Sequence, residues 1–334
     1  MTKAAVAKTW TLHTWPDGSR RSRTPQEFPL GEWVDITPPG LDLSDPDNGY
    51  GLGHAVDHNQ PGTLYFCLQS YDNILSGLYK TTDYGFSWSR IGAVTPQSEG
   101  ASDYIDQPIR IRIDPEDSDH LYCASSVRGS AQGFFISTDG GLTFSRPAGL
   151  ASAASAASVG NYTDVYDIAV DPTDFDHILI SFHYEWGGAY GTNCGVMEST
   201  NGGTSWTVHA PESTWGTGHS LKFLYDPDNA QGNASTWLLG TQSNGLWRTS
   251  NTGTSWTQVS SVNIAHGGMQ GHYTDEGVLY VGGETCQKST DNGTSFSTMR
   301  SGAVAWSVFG DGADLFYSHN NFAQPVQTSP ETDG

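Results

Sequence analysis

The segment His183–Gly191, "HYEWGGAYG", sets one carboxylate, Glu185, between two aromatic side chains, Tyr184 and Trp186. Flat rings can support a sugar, and a carboxyl beside them can act as acid, base or nucleophile. Cleaving a glycosidic bond takes two carboxyl groups flanking it. Asp72 in "QSYDN", with Tyr71 beside it, is the second candidate. The plain alternative is a rim-exposed Glu185 with no catalytic part. Histidines offer a different chemistry. His183 and Tyr184, with Arg128 neutralising a uronate carboxylate, would suit β-elimination. His54 and His219 are further binding candidates, and His266, His272 and His319 are expected near the same face. No HxH or HExxH spacing occurs, so no metal site is expected, and no cofactor motif is found.

These residues need a frame, and the chain spells one out five times: "TTDYGFSW" at 81–88, "STDGGLTF" at 137–144, "STNGGTSW" at 199–206, "TSNTGTSW" at 249–256 and "STDNGTSF" at 289–296. The steps between their Asp or Asn residues are 56, 62, 50 and 40. Repeats of this size point to a propeller or solenoid, and irregular steps favour a propeller, whose loops can grow on one face. Each unit reads as four short strands with the motif on the turn between the third and fourth. An Asp or Asn side chain bonds nearby amides there, and Gly accepts the tight backbone. No helix is needed anywhere in this scheme. The expected fold is all-β: a β-propeller of four-stranded antiparallel blades, six-bladed with seven as the alternative. A strand at about 32–37 ("GEWVDITPP") would complete the last blade, making residues 1–334 one domain.

The repeated motif is the Asp-box pattern, and the chain resembles the Asp-box (BNR-repeat) propellers: sialidases, xyloglucanases and their non-enzymatic relatives. The likeness covers about residues 50–300; Asn replaces Asp in two boxes and Thr opens two. It implies that the boxes lie opposite the usual binding face, as frame. That face would collect the loops entering first strands and those joining second to third strands. In xyloglucanases a catalytic aspartate occupies such a second-to-third-strand loop before a Gly-Gly-Ala-Tyr stretch. "EWGGAY" is similar, with Glu185 in the aspartate's place and Asp72 in the corresponding loop two blades earlier. The three-arginine grip of sialidases lacks its motif: Arg20, Arg21 and Arg23 lie in "DGSRRSRTP". A uronate lyase using His183, Tyr184 and Arg128 resembles propeller polysaccharide lyases. A non-catalytic glycan- or receptor-binding propeller, of lectin or viral adhesin type, is the other alternative.

Aligning first strands on their turn aspartates (Asp57, Asp114, Asp171, Asp226) brings Gly53, Arg110, Asp167 and Lys222 to one level, four residues earlier. Seven residues earlier lie Tyr50, Gln107, Asp164 and His219. Strand alternation would turn Arg110, Asp167 and Lys222 toward the central channel, either to bind a carboxylate or sugar hydroxyls or to tie blades together. Bulk composition agrees with a turn-rich β protein: 40 glycines, 11 tryptophans and 15% charged residues. A net charge of −21 argues against nucleic acid or an anionic membrane surface as partner. The four cysteines show no CxxC pairing, though one or two disulfides are compatible. No apolar run reaches membrane-spanning length, so no membrane insertion is expected. The expected partner is a polysaccharide or glycan, and the expected setting a secreted, extracellular monomer.

Overall fold

The computed structural model describes residues 13–14, 20–21, 36, 38, 50–69, 76–94, 104–127, 132–224, 235–264, 272–273, 278–300, 305–310, 314–319 and 327–330. Apolar side chains alternate along the strands in these segments, and the strands pair as antiparallel sheets in chain order. The first sheet comprises Tyr50–Val56, Leu64–Gln69, Gly77–Thr81 and Ser89–Ile91. The second has Pro108–Ile113, Leu121–Ser125 and Gly133–Ser137, with Ser145 bridged to Ile136 on its outer edge. The third and fourth have four strands each: Val165–Asp171 through Thr207–His209, and Ser220–Phe223 through Thr257–Ser260. The fifth runs from His272–Tyr273 to Ser297–Arg300, and the sixth holds Ala305–Gly310, Asp314–His319 and Gln327–Pro330.

The second and third sheets bury both faces against their neighbours. In the second, Leu121 and Cys123 pack with Tyr65, Cys67 and Leu78 of the first, while Tyr122 and Phe134 pack with Ile168 and Ile178 of the third. Leu179, one residue from Ile178, joins Leu221 and Trp237 of the fourth. Period-two alternation between two apolar interfaces is what stacked sheets require. The first strands of the first four sheets lie side by side. All four cysteines are buried free thiols.

The five repeated turns share one hydrogen-bond pattern. In the first, Thr81 Oγ1 donates to Asp83 Oδ1 at 2.8 Å and accepts the Gly85 amide at 2.9 Å; Asp83 Oδ1 accepts the Ser87 amide at 2.8 Å and Oδ2 the Ser87 hydroxyl at 2.7 Å. Ser137/Asp139/Thr143 and Ser289/Asp291/Ser295 repeat it. Where Asn stands, its Nδ2 donates instead to Ser205 or Ser255 Oγ, so the hydroxyl reverses its role and the turn survives. The glycine that follows takes φ between 70° and 86° in all five, a left-handed backbone that side chains resist. The first four turns dock on the chain between the first and second strands of their own sheets, as in Tyr84 N to Gly62 O, Gly140 N to Asp119 O and Gly202 N to Asp176 O. The repeated turns and the turn aspartates thus share one face, and the second-to-third-strand loops lie on the other.

The helix-free expectation is corrected. Ala148–Ala156, "AGLASAASA", forms a helix between the second and third sheets. Alanine has the highest helix propensity, and an Ala/Ser run in a long connection has no strand partner to oppose it. Leu150 and Ala154 face the core.

A buried acid–histidine chain runs across the third sheet, its two histidines packed edge-on against Phe223 and Trp237 of the fourth. His177 Nδ1 lies 3.2 Å from Asp171 Oδ2 and its Nε2 2.9 Å from Glu198 Oε1, while His209 Nε2 meets Glu198 Oε2 at 2.9 Å. Both His177 nitrogens face carboxylates, so both contacts are hydrogen bonds only when the ring is protonated. Burial opposes that charge, but bonds from Glu198 and then Asp171 outweigh it and raise the His177 pKa. Burial likewise opposes ionisation of Glu198, yet the two histidines hold its pKa down to about 2.

Two stability predictions follow from these contacts. Replacing Asp139 by Ala strips the Thr143 amide and hydroxyl of their acceptor and should cost about 1–2 kcal/mol in urea unfolding. For the chain, Glu198 contributes stability that is lost as pH falls from about 4.5 toward 2, and His177 stability that is lost as pH rises above 6.5. Unfolding midpoints should therefore peak at mildly acidic pH. Glu198→Gln should flatten that peak and cost about 3 kcal/mol.

Candidate functional site

The loop face is built from the first-strand entrances and the second-to-third-strand loops. A polar belt crosses it between the first and third sheets. Gln107, held by Ser76 at 3.0 Å, accepts through its carbonyl from Gln69, Ser125 and the Ser126 amide. Ser126 Oγ donates to Asp164 Oδ1, which also takes the Val127 amide at 2.7 Å. Asp164 Oδ2 then meets His183 Nδ1 at 3.2 Å, and the Asp164 carbonyl accepts the His183 amide. Burial works against ionisation of Asp164, but His183, Ser126 and Val127 bond the charged form and pull its pKa below the ordinary value. The carboxylate thus fixes the His183 ring, which packs tilted against Tyr166 at 5.3 Å and keeps 21% of its side chain exposed. An anchored, partly open imidazole can exchange a proton with a ligand.

The next residues continue outward. Tyr184 is 53% exposed. Glu185 is half-buried, and its carbonyl accepts the Asn161 side-chain amide at 2.7 Å. Gly187, Gly188 and Gly191 all have left-handed φ, between 55° and 66°, which lets so short a loop fold back. Along this run Tyr184 is exposed, while His183 and Glu185 are partly exposed.

Two expected ligand contacts are corrected. Trp186 is 0% exposed. It is the floor of the loop, edge-on to Phe182 at 5.2 Å and Tyr190 at 5.1 Å, with its carbonyl taking the Gly160 amide. An indole that carries the loop cannot also be the platform for a sugar. His219 is likewise fully buried, between Cys194 Sγ at 3.5 Å and the edge of Trp215. Burial lowers its pKa to about 4, so it is a neutral core residue.

Arg110 and Asp167 do meet, with Nε 3.0 Å from Oδ1, and both are buried. This is a tie between the second and third sheets. Asp167 Oδ2 extends it to the fourth sheet by accepting the Leu221 amide at 3.1 Å, beside Lys222. His54 is exposed on the neighbouring strand. The register carries one feature that alternation did not predict. The ladder skips a residue between Gly51 and Gly53, Pro108 and Arg110, Val165 and Asp167, and Ala305 and Ser307. A bulge at the same level in four sheets re-aims the side chain that follows it. Asp72, Tyr71 and Arg128, like His266, lie outside the described residues.

Ser126 and the bracing of His183 by Asp164 are what the sequence reading passed over. Asp164 itself shares the level seven residues before the turn aspartates with Gln107 and His219, and all three are buried polar groups.

No protein-family model matches the sequence, and no curated protein matches it. Solved structures do. An ancestral GH74 enzyme superposes with a TM-score of 0.58 at 17% identity, over 84% of this chain and 36% of its own. The fold is a β-propeller. The chain spans about a third of that enzyme's length. YCF48 from Cyanidioschyzon merolae matches at TM-score 0.50 and 14% identity, over 83% of this chain and 94% of its own. The extracellular domain of a one-component system from B. thetaiotaomicron matches at 0.51 and 10%, over 80% of this chain and 32% of its own. Among the described residues, no helix is long and apolar enough to cross a membrane.

The roles of the two aromatic neighbours of Glu185 separate in a stability test. Trp186→Ala should cost about 3–5 kcal/mol in denaturant unfolding, whereas Tyr184→Ala should stay within about 0.5 kcal/mol of the parent.

Proposed function

We propose that this propeller is a carbohydrate-active enzyme, a glycoside hydrolase acting on an extracellular polysaccharide or glycan. The observation that carries the reading is the run His183–Tyr184–Glu185, with His183 held by Asp164, Trp186 packed beneath the loop and Tyr184 exposed. Glu185 supplies one carboxyl group and Asp72, in the equivalent loop two sheets earlier, the other. Tyr184 and Tyr71 give the sugar its flat contacts, and His183 hydrogen-bonds its hydroxyls. The GH74 likeness supports the fold that such an enzyme needs; activity is argued from the loop. The loop-face connections differ from sheet to sheet, which favours one asymmetric site over the repeated shallow sites of a lectin.

The same reading takes the five turns as Asp boxes and residues 1–334 as one six-bladed ring, completed by a strand at about 32–37. Trp88 Nε1 donates to Ile36 O at 2.9 Å, and Ile36 packs over Gly85. Ile91 of the first sheet packs over Gly141 of the second in the same way. Ile36 thus stands where a preceding blade's outer strands would be. The protein is taken to act as a secreted monomer.

One observation favours a second reading, a uronate lyase. An Asp-braced His183 beside an exposed Tyr184 has the groups for β-elimination, the imidazole taking the proton at C5 and the phenol protonating the leaving oxygen.

Glu185→Gln and Asp72→Asn should each lower kcat about 10²-fold or more on a cleaved glycan, with unfolding midpoints unchanged. Full turnover in both variants would remove these residues from the mechanism. Loss of turnover in His183→Gln alone, with unsaturated products from the parent, would install the lyase.

A further inference from the structure

Among the described residues, five other than glycine take a left-handed backbone. Tyr84, Thr252 and Asn292 do so inside the repeated turns, and Ser158 does so just after the helix. Val127, with φ of 74°, stands outside both settings. A β-branched side chain resists this conformation, and such outliers gather where a site needs a fixed geometry. At Val127 the bend brings the backbone amide to Asp164 Oδ1 at 2.7 Å, beside the Ser126 hydroxyl on the same oxygen. The other oxygen, Oδ2, holds His183. One carboxylate thus joins a strained backbone after the second sheet's inner strands to an imidazole of the third.

Donor and acceptor roles fix that imidazole. Burial opposes the charge of Asp164, but bonds from His183, Ser126 and Val127 outweigh it and keep the group ionised at neutral pH. An ionised carboxylate only accepts. His183 Nδ1, 3.2 Å from Oδ2, must therefore carry the proton. In the neutral ring Nε2 then has a lone pair and no hydrogen. The His183 amide, donated to the Asp164 carbonyl at 3.0 Å, and the tilted contact with Tyr166 at 5.3 Å keep the ring in place.

We propose that Asp164 is the positioning residue of the loop-face site, holding neutral His183 as the Nδ1–H tautomer so that Nε2 accepts a proton from a sugar hydroxyl. The ligand half of this inference rests on the glycoside hydrolase reading. A hydroxyl near the bond being cleaved becomes more acidic as the sugar ring gains positive charge. An acceptor there gains strength in the transition state, and a donor loses it. A carboxylate in that place would bring no proton to the tautomer. The atom that meets His183 is therefore a hydroxyl rather than a uronate carboxylate.

The Val127 amide decides what a substitution does. It can only donate, so in Asp164→Asn the side-chain oxygen must stay on Val127 and the NH2 group must turn to His183. That donor forces the imidazole proton from Nδ1 to Nε2 while the ring keeps its place. Long-range 1H–15N spectra of the full chain with 15N-labelled histidine rings read the tautomer directly, at about pH 9 where an ordinary imidazole is neutral. His183 is assigned by its absence from the spectrum of His183→Gln. The parent should show the Nδ1–H form and Asp164→Asn the Nε2–H form. An Nε2–H parent, or a folded Asn variant that keeps Nδ1–H, would overturn the proposal. If the Asn variant does not fold, the parent spectrum decides. On a glycan that the parent cleaves, Asp164→Asn should lower kcat about tenfold or more while KM moves less than about threefold. An Nε2–H group still bonds the hydroxyl oxygen but no longer takes its proton. Parent-like kcat in a variant with inverted tautomer would also overturn the proposal. An Nδ1–H parent that cleaves no glycan overturns the enzyme reading and leaves the tautomer standing; cleavage by an Nε2–H parent does the reverse.

Discussion

The hydrogen-bonded turn between third and fourth strands is the contact on which the rest of this protein depends. One Ser or Thr hydroxyl and one Asp or Asn side chain satisfy the amides of a backbone held left-handed at two successive positions, such as Gly140 and Gly141 with φ of 68° and 86°. Such a turn is costly without internal partners. Because it also docks on the first-to-second-strand turn, one short motif fixes both turns at one end of a sheet. Partial burial of Asp83 opposes its charge, but bonds from Ser87 and Thr81 dominate and its pKa falls. The carboxylate therefore remains charged at neutral pH, where its acceptor role is needed. Five repetitions make one face rigid and leave the opposite face free to vary in loop length and chemistry.

That division explains where polar chemistry accumulates. The first strands carry a bulge at a common level, and above it the chain places buried polar groups rather than apolar ones: Gln107, Asp164 and His219. Below it Arg110 and Asp167 tie the sheets electrostatically. A buried pair of this kind adds little net stability relative to an apolar contact, so its value here is register, holding neighbouring first strands at matched heights. The Asp164–His183 contact sits one bulge above that tie and inherits its alignment.

Much of the frame was legible in the sequence because its signals are local. The turn motif, the alternating strands and the level of Arg110, Asp167 and Lys222 each follow from spacing alone. The site was legible only in part. Trp186 reads as a sugar platform beside Glu185, yet one residue of alternation, and the Gly160 amide bonded to its carbonyl, turn it into the core. His219 lies on the expected face but beneath its surface, a depth that residue type does not encode. The helix at Ala148–Ala156 was missed because a repeat of strands left no place for it, although its alanines favour helix. Asp164 was placed at its level by spacing, but its contacts were not legible because Ser126 and His183 come from segments 38 and 19 residues away.

The central functional claim is that the loop face hydrolyses glycosidic bonds. Mass spectrometry of products from a panel of neutral, uronate-containing and sialylated glycans tests it most directly. The account predicts fragments that carry one added water per bond broken. Intact glycans throughout, or unsaturated uronate fragments, would contradict it.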